Sequence, residues 1–104
     1  MLKIYPVSLE VARLCAPIVR RIAEHDADLA RQLRRAVTSV PLNVAEGCGV
    51  YGGNRRLRFG TALWSVREVR AALDVAEALG YVPGDAVLSA HVHHVTAVLV
   101  KLVR

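Results

Sequence analysis

The stretch Gln32-Leu33-Arg34-Arg35-Ala36-Val37-Thr38-Ser39-Val40-Pro41-Leu42-Asn43-Val44-Ala45-Glu46-Gly47 decides the fold. Leu29, Leu33, Val37, Val40 and Val44 recur at steps of three and four residues, the period of one helix face. Gln32, Ser39, Asn43 and Glu46 fall on a neighbouring strip, with Ala36 between them. Small and hydrogen-bonding groups beside an apolar seam predict a polar-bonded helix contact rather than a plain solvated face. Arg31, Arg34 and Arg35 point to a third side. Pro41 removes one backbone donor, so a single bent helix is expected. The freed Val37 carbonyl would be met by Thr38, Ser39 or water.

Outward from this segment the chain reads as four helices with almost no strand. Ser8 is the expected cap of a first helix with Val11, Leu14, Cys15, Ile18 and Ile22 on its apolar face. Pro17 falls inside it and predicts a kink or a later start. Asp26 or Asp28 caps the second helix, which runs to about Glu46 and ends at Gly47. Gly47-Cys48-Gly49-Val50-Tyr51-Gly52-Gly53 reads as a glycine-rich connection. It lacks the Gly-Lys-Ser/Thr ending and the preceding strand of a phosphate-binding loop. Asn54 is the expected cap of the third helix, which runs to about Leu79 and stops at Gly80. Pro83-Gly84-Asp85 turns the chain, and Asp85 caps a fourth helix.

The third helix carries two apolar stripes. Phe59, Ala62, Val66, Val69, Leu73 and Ala76 form one. Leu57, Thr61, Trp64, Ala72, Val75 and Leu79 form the other, interrupted by Glu68. Arg56, Arg67, Arg70, Asp74 and Glu77 make the polar side, narrowed by Leu63. A surface helix of a monomer needs one stripe. The second one, with Leu57, Trp64, Val75 and Leu79, therefore predicts a subunit interface. The alternative is a helix central to its own bundle.

Part of this pattern carries a family likeness. Ser39-Val40-Pro41-Leu42-Asn43-Val44-Ala45-Glu46-Gly47 resembles the Ser-aliphatic-Pro-x-Asn-aliphatic-Ala-Glu-Gly motif of the "four helix bundle protein" family. That family includes proteins encoded in intervening sequences of 23S ribosomal RNA genes and accessory variability determinants of diversity-generating retroelements. Gln32-Leu33-Arg34-Arg35-Ala36 and Gly80-Tyr81 extend the likeness over roughly Asp28 to Tyr81. In the third helix the family has Ala-x-Gly-Ser-x-x-x-Glu. Here Ala62-Leu63-Trp64-Ser65-Val66-Arg67-Glu68 keeps the alanine, serine and glutamate, with one residue fewer between the last two. Trp64 stands where the family has glycine, so the local packing and the subunit contact should differ from relatives. The resemblance implies a pentameric barrel of antiparallel bundles and a nucleic-acid or reverse-transcriptase partner.

Composition sets the remaining bounds. The 104 residues suffice for one domain, 1–104, and not for two. A hydrophobic fraction of 54% and a mean hydropathy of +0.34 are high for a small soluble monomer, so much apolar surface must be buried somewhere. The run Val95 to Val100 is far too short to span a bilayer. Ile4-Tyr5-Pro6-Val7-Ser8 is no signal-peptide stretch. A cytoplasmic protein with no membrane partner is the expectation. Cys15 lies in the apolar pattern and predicts a buried thiol, Cys48 an exposed one, and nothing argues for a disulfide.

The net charge of +5 is carried largely by Arg20-Arg21, by Arg31, Arg34 and Arg35, and by Arg55, Arg56 and Arg58. The last two groups are the candidate nucleic-acid contacts. Aromatics make up only 5% and are not interleaved with the arginines, so phosphate contact is favoured over base stacking. A solubilising basic face is the bland alternative. His91 and His94 are three apart on a helix, with no carboxylate at a matching step, so no metal is expected. Cys48 with a histidine lacks an orienting acid, and no oxyanion site is legible. Ser39, Pro41, Asn43, Glu46, Gly47, Ser65 and Glu68 are read as a structural motif. Asn43 and Glu46 would satisfy buried partners, and Glu68 would pair with an arginine, Arg35 or Arg58.

These readings converge on an all-α, antiparallel up-and-down four-helix bundle. The expected function is that of a non-enzymatic oligomeric accessory protein without cofactors, binding RNA or DNA backbone. The alternative is a homo-oligomeric protein-interaction scaffold, and a small-molecule or metal-binding bundle is a third class.

Overall fold

The computed structural model describes residues 2–50 and 52–104. It contains α1 (Ile4–Ala23), α2 (Ala27–Cys48), α3 (Gly52–Ala78) and α4 (Ala86–Leu102), and no strand among the described residues. Each helix packs on its neighbours in the chain, and α1 also packs on α4, which closes an antiparallel up-and-down four-helix bundle. The α2–α3 contact is the broadest. The molecule measures 42 × 24 × 20 Å.

α1 starts earlier than its polar residues imply. Ser8 is not its cap: Lys3 holds the N-cap position without a side-chain bond, and Ser8 lies buried in the helix. Its hydroxyl donates to the Tyr5 carbonyl at 2.7 Å. Burial of Ile4 on the same side as Val11 draws in the extra turn. Pro6 tolerates it, because first-turn N–H groups have no intrahelical acceptor. Pro17 sits exposed inside the unbroken helix.

α2 begins where expected. The Asp26 carboxylate accepts from the Leu29 N–H at 2.9 Å. It runs past Gly47 to Cys48, and Gly49 takes the cap position, its N–H donating to the Glu46 carbonyl. Gly47 is therefore a packing residue, not a terminator. A Cβ there would come within 2.5 Å of the Phe59 ring. Pro41 is buried within the helix, and the Thr38 hydroxyl donates to the Arg34 carbonyl rather than to that of Val37.

The glycine-rich connection shrinks to residues 49–51, of which Tyr51 lies outside the described residues. Gly52, Gly53 and Asn54 all belong to α3, so Asn54 is not its cap. At the other end Gly80 takes φ +76°, the left-handed conformation natural to glycine. The Tyr81 N–H donates to the Ala76 carbonyl and the Gly80 N–H to that of Glu77, the paired bonds of a Schellman stop. Asp85 caps α4, accepting from the Leu88 N–H at 3.0 Å.

Phe59, Ile22, Leu33, Leu88 and Leu99 are the largest fully buried side chains. Each contributes about 1.5–3 kcal/mol on leaving water. Leu63 and Ala72 also turn inward to this core, rather than to the polar side and the outer stripe of α3. Arg70 ties α3 to the start of α4, donating to Asp74, Glu77 and the Ser89 hydroxyl. The turns after α1 and α3 meet at one end, where His25 and Tyr81 stack with ring centroids 5.0 Å apart. No helix among the described residues is long and apolar enough to cross a membrane.

Candidate nucleic-acid interface

The polar strip of α2 lies along α3. Ser65 is buried and donates to the Ser39 hydroxyl oxygen at 2.8 Å across the helix pair. The Asn43 amide donates to the same oxygen at 3.0 Å and to the Ser39 carbonyl at 2.9 Å. Ser39, Asn43 and Ser65 thus form one bonded unit that fixes the register of α2 on α3. Glu46 and Glu68 do not join it. Both are exposed, Glu46 near the end of α2 and Glu68 on the outer side of α3. Glu46 instead pairs with Arg58 at 3.0 Å, with both side chains about half in solvent. Glu68 makes no ion pair among the described residues.

The two groups of arginines are partly united. Arg34, Arg35 and Arg58 line one open groove of about 550 Å³ with Thr38, Leu42 and Glu46. Arg34 and Arg35 make no ion pair among the described residues, so the groove carries three guanidinium groups against one carboxylate. Arg31 is drawn away by its neighbour Asp28 on the same helix. Arg55 lies over the Phe59 ring, 5.0 Å from its centroid, a cation–π contact. Arg56 faces a different groove. The sequence groups by proximity in the chain. The fold instead selects one arginine of the third helix and two of the second.

The outer stripe of α3 is left uncovered by the chain's other helices. Trp64 is 69% exposed, Leu57 62%, Leu79 57% and Val75 45%. Leu57, Trp64, Ala71 and Val75 follow at steps of seven and four, so they line one side of the helix. Trp64 does not disturb the bundle, because it points away from it. Beside it, Gly53, Arg56, Leu57, Gly60, Thr61 and the end of α4 at Val103 enclose a groove of about 560 Å³.

Other candidates stay apart. Cys15 is buried, and its thiol is pushed up to about 11, chiefly by burial and secondly by the Asp85 carboxylate, against the pull of Arg70. Cys48 is half-buried. His91 is half-buried while His93 and His94 are exposed. No group of three or more histidine, cysteine or carboxylate side chains converges among the described residues.

The sequence model of the family described as 23S rRNA-intervening sequence protein matches residues 1–101. The chain belongs to this family. The Ser39–Gly47 motif now has physical content for it: Ser39 and Asn43 bond the α2–α3 pair, and Gly47 admits Phe59. No curated protein and no solved structure matches the chain. Arg70 escaped the sequence reading. Its clamp depends on Ser89, which only the fold places opposite, though the Arg70–Asp74 step of four was legible.

Proposed function

We propose that this protein is a non-enzymatic, self-associating accessory protein of the cytoplasm that binds the phosphate backbone of RNA or DNA. A partner enzyme such as a reverse transcriptase would act on the bound strand. The observation that supports this reading is the groove of Arg34, Arg35 and Arg58, with its excess of guanidinium over carboxylate. Guanidinium forks bind phosphate oxygens in pairs. Five-fold assembly, implied by the family likeness, would repeat the groove and multiply weak contacts through avidity.

Fluorescence anisotropy with labelled single- and double-stranded RNA and DNA tests the proposal. Binding should be weakly sequence-selective and fall steeply with salt. The log–log slope should be roughly −0.7 to −0.9 per phosphate neutralised. Replacing Arg34, Arg35 and Arg58 together by glutamine should weaken binding and flatten the slope, without changing the particle mass. No binding to any of the four at low salt would end this reading. The exposed α3 stripe would then favour the second one, a homo-oligomeric scaffold for protein partners.

A further inference from the structure

Beside the basic groove the α2–α3 seam opens into a notch of about 270 Å³, lined by Gln32, Arg35, Ala36, Ser39, Ser65 and Glu68. It exists because Ala36, Ser39 and Ser65 are too small to fill the space between the helices. Its volume lies below the roughly 300–1,000 Å³ of a typical small-molecule site. A single flat heterocycle is the natural size of occupant.

The charges of the notch narrow the choice. Arg35 and Glu68 face it together, yet neither makes an ion pair among the described residues. A phosphate would be repelled by Glu68, and a bare cation by Arg35. An apolar group would desolvate both without repaying either. The fitting ligand is neutral and presents hydrogen-bond donors on one side and acceptors on another. A nucleobase edge does this. Guanine does it best. Its N1–H and its amino group lie side by side, matching the two oxygens of one carboxylate. Its O6 and N7 lie on the adjoining edge, where a guanidinium or an amide donates. Adenine, cytosine and uracil would each turn a lone pair toward Glu68 beside their single donor.

Position supports the same reading. Arg35 and Ser39 line both the notch and the basic groove, so the two adjoin. A strand whose backbone lies on Arg34 and Arg58 can turn one unpaired base into the notch. We infer that this notch is a reading site for an unpaired guanine, resting on the backbone binding proposed above.

The test is anisotropy at fixed low salt with labelled single-stranded oligouridine carrying one central guanosine, inosine or adenosine. Inosine lacks only the amino group. The guanosine strand should bind on the order of tenfold more tightly than the other two, the discrimination of one good bidentate base contact. Glu68→Gln should abolish that preference while leaving the salt slope and the thermal melt unchanged. Equal affinity for the three strands, with a steep salt dependence, would overturn the notch and leave the backbone reading intact. No binding to any strand would overturn both. A Glu68→Gln protein that keeps the guanosine preference but changes particle mass would assign the notch to a subunit contact and overturn the inference.

Discussion

Two residues show how much a single position decides. Gly47 looked like a helix stop, because glycine after a helical run usually is one. Its burial and the Phe59 ring against it make it a spacer instead. Gly47→Ala should cost about 1–3 kcal/mol as the ring is forced out of place, a large share of the 5–15 kcal/mol typical of a domain. Urea unfolding measures it, and Phe59→Leu in the same background should recover part of the loss. Cys15 gives a pH signature. Its thiol is raised from 9.0 to about 11, so between those values the unfolded chain has lost the proton that the folded chain keeps. Its contribution is complete below pH 9 and declines as pH rises to about 11. Unfolding curves across that window should show Cys15→Val losing less stability with pH than the wild type. Caps formed within the chain were legible at this scale: Asp26, Gly80 and Asp85 act through neighbours a turn away. Ser8 and Asn54 were misread because burial of Ile4 and continuation of α3 through Gly52 lengthened their helices.

At the scale of the element, α3 has two unlike faces. Its inner one, with Phe59, Val66, Val69 and Ala76, is sealed by the bundle. Its outer one, with Leu57, Trp64, Val75 and Leu79, is open. The period of the sequence revealed both stripes, since each repeats at helical spacing. It misassigned Ala72 and Leu63 at the boundary, where a rotation of one residue moves a side chain inside. The two faces should respond oppositely to substitution. Phe59→Ala should cost about 3–5 kcal/mol of protomer stability. Val75→Glu should reduce the particle mass seen by light scattering and make the melt independent of protein concentration, while the helical circular-dichroism signal of the separate chain is kept. A wild-type mass of one protomer at micromolar concentration would refute assembly through this face.

For the molecule as a whole, the bundle followed from four periodic segments and three short turns, and the seams between helices did not. Which arginines share a groove depends on the rotation of α2 against α3. The Ser39–Ser65 bond and the Gly47–Phe59 contact set that rotation, and both join residues far apart in sequence. The same contact also bears on time. α2 and α3 are joined by residues 49–51 and share the broadest interface, so their hairpin closes at little cost in chain entropy. Formation of this pair should be the committing step on the way to the native state, with α1 and α4 condensing onto it. In stopped-flow measurements Phe59→Leu should then slow refolding, whereas Leu99→Ala, at the far end of α4, should mainly hasten unfolding. The pace at which the chain becomes a protein should then follow the fit of one ring against one missing methyl group.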